Sequence, residues 1–155
     1  MLTLIWIKRG KMVKVAEKQD INILVNMAVQ LYENSTKKEL QEEFCKDILN
    51  DNVKFFLKYE NNLPVGFAQV NLRFDYVEGS ATSPVGYLEG IWIQESFRRK
   101  GYAKELLQEC EKWAKSKNCK EFASDCELSN KNSHNFHKAM NFKEANKIIC
   151  FIKNI

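Results

Sequence analysis

The stretch Tyr87 to Lys117, YLEGIWIQESFRRKGYAKELLQECEKWAKSK, decides how this chain is read. Its first seven residues, Tyr87 to Ile93, form an apolar run short enough for a buried strand. A polar turn follows, then the basic loop Arg98-Arg99-Lys100-Gly101. Beyond Gly101, the residues Ala103, Leu106, Leu107, Cys110, Trp113 and Ala114 recur at the spacing of one helix face. The cations and the glycine therefore fall where a helix begins. Unpaired backbone N–H groups and the positive end of the helix dipole point into such a loop, which suits it to hold an anion. A glycine there keeps Cβ out of the ligand's way.

Outward from this unit, the N-terminal side reads as alternating elements. Leu2 to Ile7 and Met12 to Val15 read as short strands around a turn at Gly10. Residues 1–11 are either an extension or an extra strand before a domain spanning 12–155. Asp20 is placed as an N-cap, and Ile21, Leu24, Val25, Ala28, Leu31 and Tyr32 predict a helix to about Asn34. Ser35-Thr36 caps a second helix through Leu40, Phe44, Ile48 and Leu49. The acids on its other face, Glu39, Glu42, Glu43 and Asp47, read as a solvated surface. Val53 to Tyr59 and Leu63 to Tyr76 read as strands joined by a turn at Asn61-Asn62.

On the C-terminal side, Lys120 to Asp125 reads as a strand. Asn130 or Ser129 caps a helix through Met140, and Asn141 stands where helices often end in the left-handed conformation. Lys147 to Lys153 reads as a last strand. The order β-α-α-β-β-β-α-β-α-β implies a single α/β domain, a mixed sheet with helices on both faces.

Composition narrows the function. The 155 residues are 45% hydrophobic and 28% charged, as expected of a soluble globular domain. A net charge of +4, from 24 Lys+Arg against 20 Asp+Glu, is too mild and scattered for a nucleic-acid binder. No apolar run is long enough for a membrane span, and Leu2 to Ile7 has the wrong flanks for a signal peptide. Five cysteines and two histidines show no zinc-site spacing, and an odd cysteine count suits a cytoplasmic protein with reduced thiols.

The strand, the hexapeptide R-x-x-G-x-A (Arg98, Gly101, Ala103) and the helix after it resemble the acetyl-CoA motif of the GNAT N-acetyltransferases. The resemblance covers residues 12–155 and implies a mostly antiparallel twisted sheet. More narrowly, GFAQVNLRFDYVEG, TSPVGYLEGIWI, SFRRKGYAKELL and EFASDCELSN resemble segments of the aminoglycoside 6'-N-acetyltransferases. That resemblance implies acetyl transfer from acetyl-CoA to the 6'-amine of an aminoglycoside, by direct attack in a ternary complex, in an enzyme that forms a homodimer.

It also implies site residues. Backbone N–H groups from Arg99 to Ala103, with Tyr102 beside them, cradle the pyrophosphate of CoA. Arg98, Arg99, Lys100 and Lys104 add charge. The pantetheine lies along Ile91, Trp92 and Ile93, and the Ile93 N–H polarises the thioester carbonyl. Asn130 contacts CoA. Glu89, a carboxylate inside an apolar run, and Asp125 are expected as the base and as anchors for a polycation. Tyr32, Asp75 and Tyr76 fall on the substrate side, with Glu33 beside Tyr32. His137 stands where many family members carry the tyrosine that protonates the thiolate. Two other readings remain at this point: the same chemistry on a polyamine or protein amine, and a non-catalytic acyl-CoA sensor.

Overall fold

Two consecutive left-handed asparagines, Asn61 (φ 50°) and Asn62 (φ 65°), close the hairpin at the centre of the sheet. Positive φ at both positions matches the right-handed twist of the flanking strands, and asparagine tolerates it. The computed structural model of the protein describes residues 12–155, so the expected strand at Leu2 to Ile7 lies outside the described residues.

Five strands follow one another in sheet order: β1 (Met12–Val15), β2 (Val53–Glu60), β3 (Leu63–Arg73), β4 (Val85–Ile93) and β5 (Phe122–Ser124). The first three junctions are antiparallel and β4–β5 is parallel. Helices α1 (Ile21–Leu31) and α2 (Lys37–Asp47) separate β1 from β2. Helix α3 (Tyr102–Ser116) separates β4 from β5, and α4 (Lys131–Ala139) follows β5.

The helices pack on both faces, as the sequence implied. Leu24, Ala28, Leu40 and Phe44 of α1 and α2 meet Phe55, Leu57 and Phe67 on one side. Leu106, Leu107 and Cys110 of α3 meet Phe56, Val70 and Leu88 on the other. A Thr36–Glu39 capping box starts α2, as Ser35-Thr36 predicts. Asn130 Oδ1 accepts from the Ser133 N–H to start α4. At the end of α4, Asn141 sits at φ 67°, Phe142 N–H reaches His137 O (3.0 Å) and Asn141 N–H reaches Lys138 O (3.1 Å). That is a Schellman closure with asparagine in the glycine position.

Several expectations are corrected. Asp20 makes no side-chain bond to the start of α1; its Oδ2 instead accepts from the Glu17 N–H (2.9 Å) in the turn before it. Helix α1 ends at Leu31, β3 at Arg73, and β5 shrinks to Phe122–Ser124. The largest difference is at the C-terminus: Lys147 to Lys153 forms no strand. Ile149, Phe151 and Ile152 are 80%, 91% and 97% exposed. The segment has the composition of a buried strand, but a strand exists only where a neighbouring backbone takes its hydrogen bonds. Among the described residues this segment joins none of the five paired strands.

Candidate active site

The register between β3 and β4 slips by one residue at the middle of β4. Gln69 pairs with Gly90 and Val70 with Leu88, so Glu89 is the extra residue of a bulge. Leu88 and Ile91 both pack on the α3 side. Glu89 and Gly90 both face the α1–α2 side, where the side chain of Glu89 reaches a cleft and Gly90 lies under Tyr32. A Cβ on Gly90 would collide with the Tyr32 hydroxyl and lie 3.0 Å from Leu31 Cδ2. Glycine leaves room for the side chains of Leu31 and Tyr32, which close α1 over the strand; a larger residue here would have to push the Tyr32 tail aside. The Tyr32 hydroxyl donates to Glu89 O over 3.4 Å.

This cleft encloses about 330 Å³ between α1, α2, β3 and β4, lined by Tyr32, Glu43, Asp47, Gln69, Asn71 and Glu89 among others. Three of these are carboxylates. Burial, then the charges of Asp47 and Glu89, push the Glu43 carboxyl up; burial pushes Asp47 up against a bond from Gln69 Nε2 (3.1 Å). Burial, then Glu89 and Glu43, push the Tyr32 phenol up to about 12. Glu43 and Asp47 thus belong to the cleft, not to the solvated face that α2's pattern suggests. The sequence carries no signal for this, because the same spacing describes any amphipathic helix.

Glu89 does not stand alone. Arg73 Nη2 donates to Glu89 Oε1 at 2.8 Å and Arg73 Nε to the same oxygen at 3.1 Å. The guanidinium carbon lies 3.4 Å from the centre of the Tyr87 ring. Burial, and then the charge of Asp125, push the Tyr87 phenol up to about 12, so Asp125 is electrostatically adjacent across the β4–β5 ladder. Asp75 and Tyr76 sit on the exposed loop after β3, with the Tyr76 hydroxyl turned to Glu78 (3.3 Å); neither lines the cleft. Glu33 is exposed at the end of α1, outside the lining.

On its other edge, β4 is open. β5 pairs only with Gly86, Tyr87 and Leu88, and ends at Ser124. Beyond Leu88 the two strands part. Gln94 N–H donates to Val65 O (2.8 Å), so Ile93, one residue back, directs its N–H and C=O to the open side. Arg98 Nε occupies that carbonyl at 2.8 Å. By the same alternation Ile91 also faces the open side, whereas the backbone of Trp92 faces β3 and its ring packs in the α1–α2 core. Of the three residues expected along the pantetheine, Ile91 and Ile93 are therefore placed to offer it backbone groups.

The loop before α3 has the shape its sequence implied. Gly101 is the N-cap at φ 82°, ψ 8°, Arg99 is also left-handed at φ 64°, and nothing lies within 4 Å of the position a Gly101 Cβ would occupy. Arg99 and Lys104 are exposed and Ala103 is half-buried at the first turn. Two expected contributors face elsewhere. Lys100 Nζ lies 3.5 Å from Glu60, and the Tyr102 ring is 1% exposed with its hydroxyl donating to Glu60 (2.7 Å). Tyr102 thus offers the loop only its backbone N–H. His137 is held at both nitrogens: Nδ1 is 2.7 Å from Ser133 O and Nε2 is 2.8 Å from Ser124 Oγ. Asn130 is exposed, with its Oδ1 used by the helix cap.

A sheet that opens between a bulged central strand and its parallel neighbour, beside a glycine-started helix, defines a domain built to seat a phosphorylated, strand-like ligand. The chain belongs to the acetyltransferase (GNAT) family, whose model matches residues 21–142. It is 35% identical over 144 residues to an aminoglycoside N(6')-acetyltransferase type 1 of Acinetobacter haemolyticus, covering 92% of this chain and 98% of that one. It is 44% identical over 91 residues to the Acinetobacter baumannii protein of the same name, covering 59% of this chain and 62% of that one. Among solved structures it superimposes on AAC(6')-Iy bound to a bisubstrate analogue of CoA and acetylneamine with a TM-score of 0.90 at 29% identity, covering 94% of this chain and 99% of that one. It superimposes equally well, at 0.90, on apo AAC(6')-IG from A. haemolyticus at 32% identity, over 93% and 99% of the two chains.

Proposed function

We propose that the protein transfers the acetyl group of acetyl-CoA to the 6'-amine of an aminoglycoside antibiotic, by direct attack in a ternary complex. The observation that carries this reading is the meeting of two features at Glu89: a strand edge free to take a pantetheine, and a cleft with three carboxylates for a polycation.

In this reading the backbone N–H groups of Arg99 to Ala103, with the charges of Arg99 and Lys104, hold the pyrophosphate. Arg98 bridges the loop to the end of β4, and Lys100 and Asn130 border the CoA path. Ile91 and Ile93 pair with the pantetheine, and the Ile93 N–H stabilises the oxyanion of the tetrahedral intermediate. Glu89 orients the acceptor amine and accepts its proton, directly or through water. Glu43 and Asp47 hold its other ammonium groups, Tyr32 packs against its rings, and Asp125 adds a further carboxylate beside Tyr87; Asp75 and Tyr76, outside the cleft, take no part in this reading. When the intermediate collapses, the C–S bond breaks and the thiolate takes a proton from water. His137, expected in that role, gives its Nδ1–H to Ser133 O, and its Nε2 accepts from Ser124 Oγ at the fork of β4 and β5.

The acting unit is a homodimer in which a second copy covers the apolar segment 148–155. No helix among the described residues is long and apolar enough to cross a membrane, and the five free cysteines suit the cytoplasm. A thiol-release assay with acetyl-CoA against a panel of aminoglycosides tests the reading. Drugs with a free 6'-amine are acetylated, and those blocked at that position are not. Turnover of the blocked drugs, or of none, contradicts it.

A further inference from the structure

Two N–H groups of Arg73 converge on a single oxygen of Glu89. Nη2 lies 2.8 Å and Nε 3.1 Å from Oε1, while among the described residues no donor reaches Oε2. A carboxylate has lone pairs on both oxygens, so the pair leaves one oxygen of Glu89 for the cleft it lines. The guanidinium is itself held. Its carbon lies 3.4 Å from the centre of the ring of Tyr87, a buried residue, and Arg73 is the last residue of β3, paired with Val85. A planar cation stacked on a fixed aromatic face loses much of the freedom that makes surface ion pairs weak.

The backbone of Glu89 is held separately, by the bulge and by the Tyr32 hydroxyl on its carbonyl at 3.4 Å. Between these two fixed ends runs a flexible side chain. Without Arg73, nothing among the described residues would bond its carboxylate. Glu43 and Asp47 share the cleft, but among the described residues neither forms an ion pair with a lysine or arginine; Asp47 is bonded only by the neutral amide of Gln69. Of the three acids, one alone is aimed by a cation.

We propose that Arg73 is a positioning residue for the transfer: it pins Oε1 of Glu89 and so presents Oε2 as the oxygen that takes the amine's proton. The inference rests on the function proposed above. As the amine nitrogen bonds to the thioester carbon, its proton passes to Oε2, directly or through water, and the guanidinium keeps its charge and its place. Such a step needs the accepting oxygen within hydrogen-bond reach, and misplacing a reacting group by about 1 Å can cost about 10²-fold in rate. A tie that merely joined β3 to β4 would behave differently. Its loss would lower the melting temperature, and any loss of rate would be the same whether or not residue 89 is a carboxylate.

The test is a double-mutant cycle on the full chain. It compares kcat at saturating neamine and acetyl-CoA for the wild type, Arg73→Ala, Glu89→Gln and the double variant. In Arg73→Ala kcat falls about tenfold, less than in Glu89→Gln, because a misaimed base still accepts protons. The KM for neamine does not rise, since a cation has left a cleft that binds cations. In the Glu89→Gln background the same change lowers kcat no further. Arg73→Lys, which keeps the charge but not the fork, regains part of the rate, and it replaces Arg73→Ala in the cycle if the alanine variant fails to fold. An equal fall in both backgrounds, or wild-type kcat in the Arg73 variant, overturns the inference and leaves the proposed function standing. Wild-type kcat in Glu89→Gln, or no turnover of neamine by the wild type, sinks the reading on which it rests.

Discussion

The Lys58 ammonium, wholly buried between β2 and α3, forms an ion pair with Glu105 in the first turn of α3. Its Nζ also lies 4.5 Å from the centre of the Tyr102 ring, whose hydroxyl reaches Glu60, itself 3.5 Å from Lys100. Two cations and two carboxylates thus tie the phosphate loop and the start of α3 to β2. The helix end proposed to grip the diphosphate is thereby fixed from the β2 side.

Removing one charge from this set leaves another stranded. Glu105→Ala deprives Lys58 of its carboxylate, and destabilisation of about 2–3 kcal/mol is expected, since Glu105 itself is partly exposed. The double variant Lys58→Met/Glu105→Leu loses less than Glu105→Ala alone. Urea midpoints of the wild type and the two variants check this, and a double variant that loses as much as Glu105→Ala would contradict it.

Gly101 separates backbone strain from packing. With open space at its Cβ, substitution meets no neighbour, and the penalty is that of a side chain at φ 82°, about 1–2 kcal/mol. Gly101→Val therefore folds, melts slightly lower, and loses acetyl-CoA affinity by at least about tenfold as its N–H groups leave their alignment. Calorimetric titration with acetyl-CoA measures it. Normal affinity would remove the loop from the account.

The acids of α2 give the cleft a pH dependence. Glu43 and Asp47 are raised above their ordinary values of 4.5 and 3.8. The folded protein therefore holds protons that the unfolded chain has released, and ionisation of this pair opposes folding. Their contribution to stability is most favourable below those ordinary values and declines as pH rises through the higher folded ones. A polycation favours the ionised forms. Its binding at mildly acidic pH releases protons, and its affinity weakens as pH falls. Titration calorimetry in two buffers of different ionisation enthalpy reads the proton count directly; a count of zero near pH 5 would count against these two residues as ligands.

The C-terminal segment carries its own prediction. Ile148, Ile149, Phe151, Ile152 and Ile155 are all exposed, while β5 pairs on one edge only. Light scattering should give twice the 18.1 kDa chain mass for the full protein. The chain ended at Lys147 should be a monomer. A monomeric full chain, or a dimer that persists without the segment, would disprove the coverage proposed here.

Most of the frame was legible because each signal was local. Period 3.6 after Gly101, the paired asparagines at 61 and 62, and Asn141 after α4 each act within a few residues of where they stand. What escaped was tertiary. A bulge at Glu89 leaves no mark on an apolar run, although it decides which side that carboxylate faces. Lys58 has the alternation of an outward strand residue and only the covering helix reveals it as buried. Arg73 reads as an ordinary strand end, and Glu43 and Asp47 as a wet helix face, until β3 and β4 are set opposite them. Lys147 to Lys153 has the composition of a strand and forms none, because no sequence pattern supplies the neighbour a strand needs.

The central claim is that an amine attacks a thioester laid along the free edge of β4, with Glu89 receiving its proton. The most direct measurement is kcat/KM of Glu89→Gln for a kanamycin-type acceptor at saturating acetyl-CoA. A fall of about 10²-fold or more in a folded protein is the result predicted for a positioned base. Kinetics equal to the wild type would contradict it.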